Sequence, residues 1–68
     1  MNLESDWTKI KSVETLQYML FLYQDQLGEF IVKRQQGRKK RTVRIKDYAV
    51  ANIVFDSYLA ELTERLEH

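Results

Sequence analysis

Apolar residues recur along residues 12–27 at helical intervals. Val13, Leu16, Leu20, Tyr23 and Leu27 are separated by 3, 4, 3 and 4 positions, the spacing of one buried helical face. Ser12 stands where its hydroxyl would accept from first-turn amides, Glu14 adds negative charge at the favoured dipole end, and Gly28 suits a left-handed C-cap. Tyr18, Phe21 and Leu22 fall on other sides of the same helix. A helix apolar over so much of its circumference needs a second covering surface, so these three residues are expected at a subunit contact. Ahead of it, Trp7 and Ile10 lie one helical turn apart, with Ser5 or Asp6 as candidate caps. Trp7 is expected to plug one end of the core.

The pattern then changes period. Over Glu29–Gln35 and Lys39–Ile45, Phe30, Val32, Val43 and Ile45 sort to one face. Lys33, Gln35, Lys40, Thr42, Arg44 and Lys46 sort to the other. This alternation, with β-branched Ile31, Val32, Thr42, Val43 and Ile45, predicts a half-buried hairpin turning at Gln36-Gly37. Its register pairs Gln35 with Arg38 and sets Phe30 opposite Val43. The alternative runs the first helix through Gly28 to Gln36, at about 1 kcal/mol for the interior glycine. Asp47 next caps a second helix whose stripe is Tyr48, Ala51, Phe55, Tyr58, Leu59, Leu62 and Leu66. Ala49, Val50, Ile53 and Val54 widen its apolar surface.

The expected fold is therefore α+β: an α–β–β–α chain with a basic two-stranded hairpin between two apolar helices. The alternative is an all-α antiparallel helical hairpin with a basic loop. Residues 1–65 form a single domain, and Leu66-Glu67-His68 reads as the junction of a C-terminal tag.

Composition makes self-association attractive. A chain of 68 residues buries only about 60% of its unfolded surface, and without cysteine no disulfide or thiolate metal site supports it. At 44% apolar it is too hydrophobic for intrinsic disorder. A homodimer reconciles the two. No apolar run approaches the roughly 18 residues of a membrane span, and no signal peptide is visible. Membrane contact is not expected, and a cytoplasmic, intracellular location is.

Charge singles out Lys33–Lys46. This stretch holds eight of the eleven cations (Lys33, Arg34, Arg38, Lys39, Lys40, Arg41, Arg44 and Lys46) and no acid, so the remainder carries 3 − 10 = −7. In the register above Lys33 faces Lys40 and Arg34 faces Lys39. Like charges directly opposite cost up to about 1 kcal/mol each, and a polyanion would relieve that strain by releasing its own counterions. These eight residues are the candidate nucleic-acid contacts, mainly to phosphate. DNA is favoured over RNA because the hairpin interleaves no exposed aromatic with its cations. Catalysis is not expected: the single histidine sits in the tag junction, no serine has a general base beside it, and no cofactor or metal motif is present. The rival is a helical protein–protein interaction or dimerisation module with a solvated basic loop.

Residues 28–45 resemble the wing of a winged-helix DNA-binding domain, a basic hairpin between helices. The resemblance stops there, since only eleven residues precede Ser12 and a winged helix needs two helices ahead of its recognition helix.

Overall fold

In the computed structural model, which describes residues 6–66 and side chains through residue 64, four strands precede one helix. They are β1 (Thr8–Glu14), β2 (Tyr18–Gln24), β3 (Phe30–Gln36), β4 (Lys39–Ile45) and α1 (Tyr48–Leu66). The strands form one antiparallel meander in the order β1-β2-β3-β4. The architecture is β-β-β-β-α, and both the α–β–β–α arrangement and the all-α hairpin are overturned.

The expected first helix is instead the end of β1, a turn and all of β2. Tyr18, Leu20 and Leu22 are buried on one side of β2, while Met19, Phe21 and Tyr23 are half-buried on the other. A strand with apolar residues on both faces shows no alternation, which is how Tyr18–Tyr23 passes for a helix. The turn before it is held by Thr15. Its Oγ1 accepts from the amides of Gln17 (3.2 Å) and Tyr18 (3.0 Å), and its own N–H donates to the Tyr18 carbonyl (2.8 Å). Leu16, placed in the core by the helical spacing, lies at the tip of this turn and is fully exposed. Trp7 and Ile10 do not share a short helix, because β1 already runs from Thr8. Ser5 lies outside the described residues, as do residues 67–68 of the tag junction.

Residues 25–29 link β2 to β3 around one carboxylate. Asp25 Oδ1 accepts from the amides of Leu27 and Glu29, both at 2.9 Å, an Asx-type turn. Gly28 does take the left-handed conformation, φ 86°, but as a loop residue.

The β3–β4 hairpin forms, two residues away from the expected register. Gln36 pairs with Lys39, Val32 with Val43 and Phe30 with Ile45. Gly37, φ 60°, is thus the first central residue of a two-residue turn and Arg38 the second, the type II′ arrangement. A two-residue slide leaves every side chain on its face, so the sorting of residues 29–45 stands. It also moves the charges. Lys33 now faces Thr42, Gln35 faces Lys40, and Arg34 opposite Arg41 is the one direct cation pair left.

The helix lies across one face of the sheet, touching β2, β3 and β4. Asp47 caps it: Oδ1 accepts from the Val50 amide (3.2 Å) and the Asp47 carbonyl from Ala51 (2.9 Å). Leu20, Leu22, Val32, Ala51 and Phe55 form the core, flanked by Val13, Phe30, Ile45, Val54, Tyr58 and Leu59. Each large side chain buried there stabilises the fold by about 1.5–3 kcal/mol. The opposite face of the sheet is not the one α1 packs on. Both outer strands bear cations, Lys9 and Lys11 on β1 and Lys39, Lys40, Arg41 and Arg44 on β4, and β1 is bulged between Lys9 and Lys11.

Candidate nucleic-acid interface

Pairing across the four strands fixes what the open face displays. Residues opposite one another share a side, so Glu14, Met19, Gln35 and Lys40 form one row and Ser12, Phe21, Lys33 and Thr42 the next. Tyr23, Ile31 and Arg44 form the third, and the bulge turns Lys9 to this side opposite Tyr23. The face is thus apolar along β2, with Lys33, Lys40 and Arg44 on its β3–β4 side and Lys9, Ser12 and Glu14 along β1.

Its centre is a run of three aromatic rings. Phe21 and Tyr23, two apart on β2, lie 5.6 Å between centroids with planes 22° apart. Trp7 continues the run, 5.4 Å from Tyr23 at 51°. The Lys9 ammonium stands 5.9 Å from the Phe21 centroid, within cation–π reach. All three rings are half-buried. Neighbouring Ile31, paired with Tyr23 on this side, is fully buried.

The eight cations divide between surfaces. Lys33, Lys40 and Arg44 belong to the open face; Arg34, Lys39 and Arg41 emerge on the helix side; Arg38 sits in the turn and Lys46 follows β4. Among the described residues, Arg34 and Arg44 reach carboxylates from outside the basic stretch. Arg34 reaches Glu61 at 3.4 Å and lies 4.7 Å from the Tyr58 ring. The Arg44 guanidinium donates to Asp25 and, at 3.3 Å, to Glu29. Partial desolvation opposes ionisation of Asp25, yet the Glu29 amide, Arg44 and the Leu27 amide together hold its carboxyl below the ordinary value. Arg44 is pushed up, first by its hydrogen bond to Asp25. The crowding expected from sequence is therefore partly dissipated: the register removes one direct repulsion and the acids compensate two arginines.

Of the residues assigned to a subunit contact, Tyr18 and Leu22 are buried in the chain's own core and Phe21 stands on the open face. The reason for grouping them, excess circumference on a helix, disappears with that helix. What the sequence reading missed is the aromatic run itself. Its signal was the i, i+2 spacing of Phe21 and Tyr23, legible only once β2 is read as a strand.

Concavities border the interface. A notch of about 270 Å³ is lined by Arg34, Gln36, Lys39, Lys40 and Arg41. A wider hollow of about 410 Å³ lies by the β2–β3 loop, among Asp6, Trp7, Asp25, Gln26, Leu27, Glu29 and Arg44. Its three carboxylates against one arginine make it hostile to phosphate. Among the described residues no three histidine, cysteine or carboxylate side chains converge on a metal position, and no helix is long and apolar enough to cross a membrane. No protein-family model, curated protein or solved structure matches this chain.

Proposed function

We propose that this chain is a non-catalytic nucleic-acid-binding protein that holds a single strand across its open sheet face. Bases stack along Phe21, Tyr23 and Trp7, while Lys9, Lys33, Lys40 and the hairpin tip meet phosphates. One observation carries the reading: three contiguous aromatic rings on the face opposite α1, with cations beside them. Stacking on aromatic side chains is sequence-tolerant and contributes about 1–3 kcal/mol per base. It is accessible to unpaired bases and not to those inside a duplex. The preference for DNA over RNA rested on aromatics being absent from the basic surface. With rings on that surface, the proposal is single strands of either sugar.

Titrating the Trp7 fluorescence with an oligothymidylate of about ten nucleotides tests this. The emission is expected to quench saturably, with affinity falling steeply as salt rises because counterions are released. Phe21→Ala is expected to weaken binding roughly 5- to 150-fold, and a duplex of the same length to bind more weakly than the single strand. Equal binding of duplex and single strand, unaffected by Phe21→Ala, would reject the stacking platform. Absence of any binding at about 50 mM salt, where phosphate contacts are strong, would reject the nucleic-acid reading altogether.

Tyr48, Val50 and Ile53 favour a second reading. All three helix residues are exposed, Ile53 by 64%, and would suit contact with another protein or a second copy. Sedimentation of the wild type beside Ile53→Asp tests the second copy: a monomer in both cases removes self-association through this face.

A further inference from the structure

The β3–β4 register leaves two arginines face to face. Arg34 is directly opposite Arg41, an arrangement that costs stability in an antiparallel pair. Arg34 is also held in place: its side chain is only 17% exposed, set against the Tyr58 ring and within 3.4 Å of Glu61. Among the described residues Arg41 has no carboxylate within ion-pair distance. One pair nearer the turn, Gln36 and Lys39 face one another on the same side. With Lys40 these residues line the 270 Å³ notch. Lys40 reaches its rim from the open face, so the three helix-side cations Arg34, Lys39 and Arg41 with the Glu61 carboxylate give it 3 − 1 = +2.

We infer that this notch is an oxyanion site that takes a phosphate group. Guanidinium groups present planar forks of N–H donors matched to phosphate oxygens, and Arg34 is already oriented by Tyr58 and Glu61. A phosphate seated between Arg34 and Arg41 converts their mutual repulsion into two attractions, while Lys39 and the Gln36 amide supply further donors. The site lies on the helix side of the sheet, opposite to Phe21 and Tyr23. A strand stacked on the open face therefore leaves it vacant, to be filled by a strand's terminal phosphate or by backbone passing around the hairpin. The inference does not depend on the stacking platform, because free inorganic phosphate suffices to test it.

Phosphate titrated into the wild-type protein at constant ionic strength is expected to shift the Arg34 and Arg41 side-chain N–H resonances saturably. Arg44, already engaged by Asp25 and Glu29, serves as the internal control and is expected to stay put. Phosphate is also expected to raise Tm above that in chloride of equal ionic strength, through preferential binding to the folded state, and Arg41→Gln to abolish that increment. Oligothymidylates with a 5′-phosphate, a 3′-phosphate or neither then identify the source. Tighter binding of one phosphorylated form, lost in Arg41→Gln, points to a strand terminus. Equal binding of all three, weakened alike by Arg41→Gln, points to internal phosphodiesters. Non-saturating shifts spread over all arginines, or an Arg41→Gln protein with the full phosphate increment, would overturn the site. Neither result bears on whether bases stack on Phe21 and Tyr23.

Discussion

Replacing Leu22 by alanine is expected to bring the domain close to unfolding. Leu22 is fully buried in the middle of the sheet, beside Lys11 on one neighbouring strand and Val32 on the other, and belongs to the cluster closed by Ala51 and Phe55. Removing a leucine from such a site costs the transfer free energy of the lost methyl groups plus the cavity left behind, about 2–5 kcal/mol. A domain of this length has roughly 3–10 kcal/mol in total. A loss of about 3 kcal/mol lowers Tm by about 12–24 °C in a chain of this size. Leu16 and Leu27 provide the contrast, since they are 103% and 85% exposed. Alanine at either is expected to stay within about 0.5 kcal/mol of the parent. Urea titrations followed by circular dichroism, with an unchanged slope as the check on two-state behaviour, measure all three. A helix over residues 12–27 would place Leu16 and Leu27 on the buried stripe. If Leu16→Ala or Leu27→Ala cost as much as Leu22→Ala, the strand assignment of Tyr18–Gln24 would be refuted.

Two further perturbations probe the loop and the cap. Asp25 titrates below its ordinary value near 3.8 in the folded protein, so the unfolded chain binds more protons in that range and stability rises with pH. Its contribution is fully present above the ordinary aspartate range and is lost as pH falls through the folded value. The urea midpoint of Asp25→Asn is therefore expected to vary less than that of the wild type between about pH 5 and pH 2; an unchanged profile would contradict the role given to Asp25. Asp47→Ala is expected to cost about 1 kcal/mol through the lost bond to the Val50 amide, measured by thermal melting, and no shift in Tm would refute the cap.

Physical ambiguity, more than lack of signal, decided which parts of this fold could be read from the chain. The helix beginning at Asp47 and the two-faced character of residues 29–45 were legible because each has one wet side. Tyr18–Gln24 has none: Leu20 and Leu22 face the helix while Phe21 and Tyr23 line the platform, and its leucines and methionine are good helix formers. The 3-4 spacing through Leu16 and Leu27 was coincidence between two turn residues and a strand. Stronger clues lay in Asp25 and Gly28, loop residues at the end of a short apolar run. Hairpin register escaped because a glycine serves either central turn position; the observed choice carries one direct cation pair where the other carries two. In the interface, charge was visible and rings were not, since recognising the rings depends on assigning β2 correctly.

The order of elements also bears on how the molecule assembles. Each strand pairs with its sequence neighbour, so the meander closes by short loops at small entropic cost, a low-contact-order route associated with rapid folding. The helix is the last of the described elements. Before it docks, the side of the sheet bearing Leu20, Leu22 and Val32 has no helix to bury it. Lysines and arginines along both outer strands guard that interval, because two margins of like sign resist zippering edge to edge.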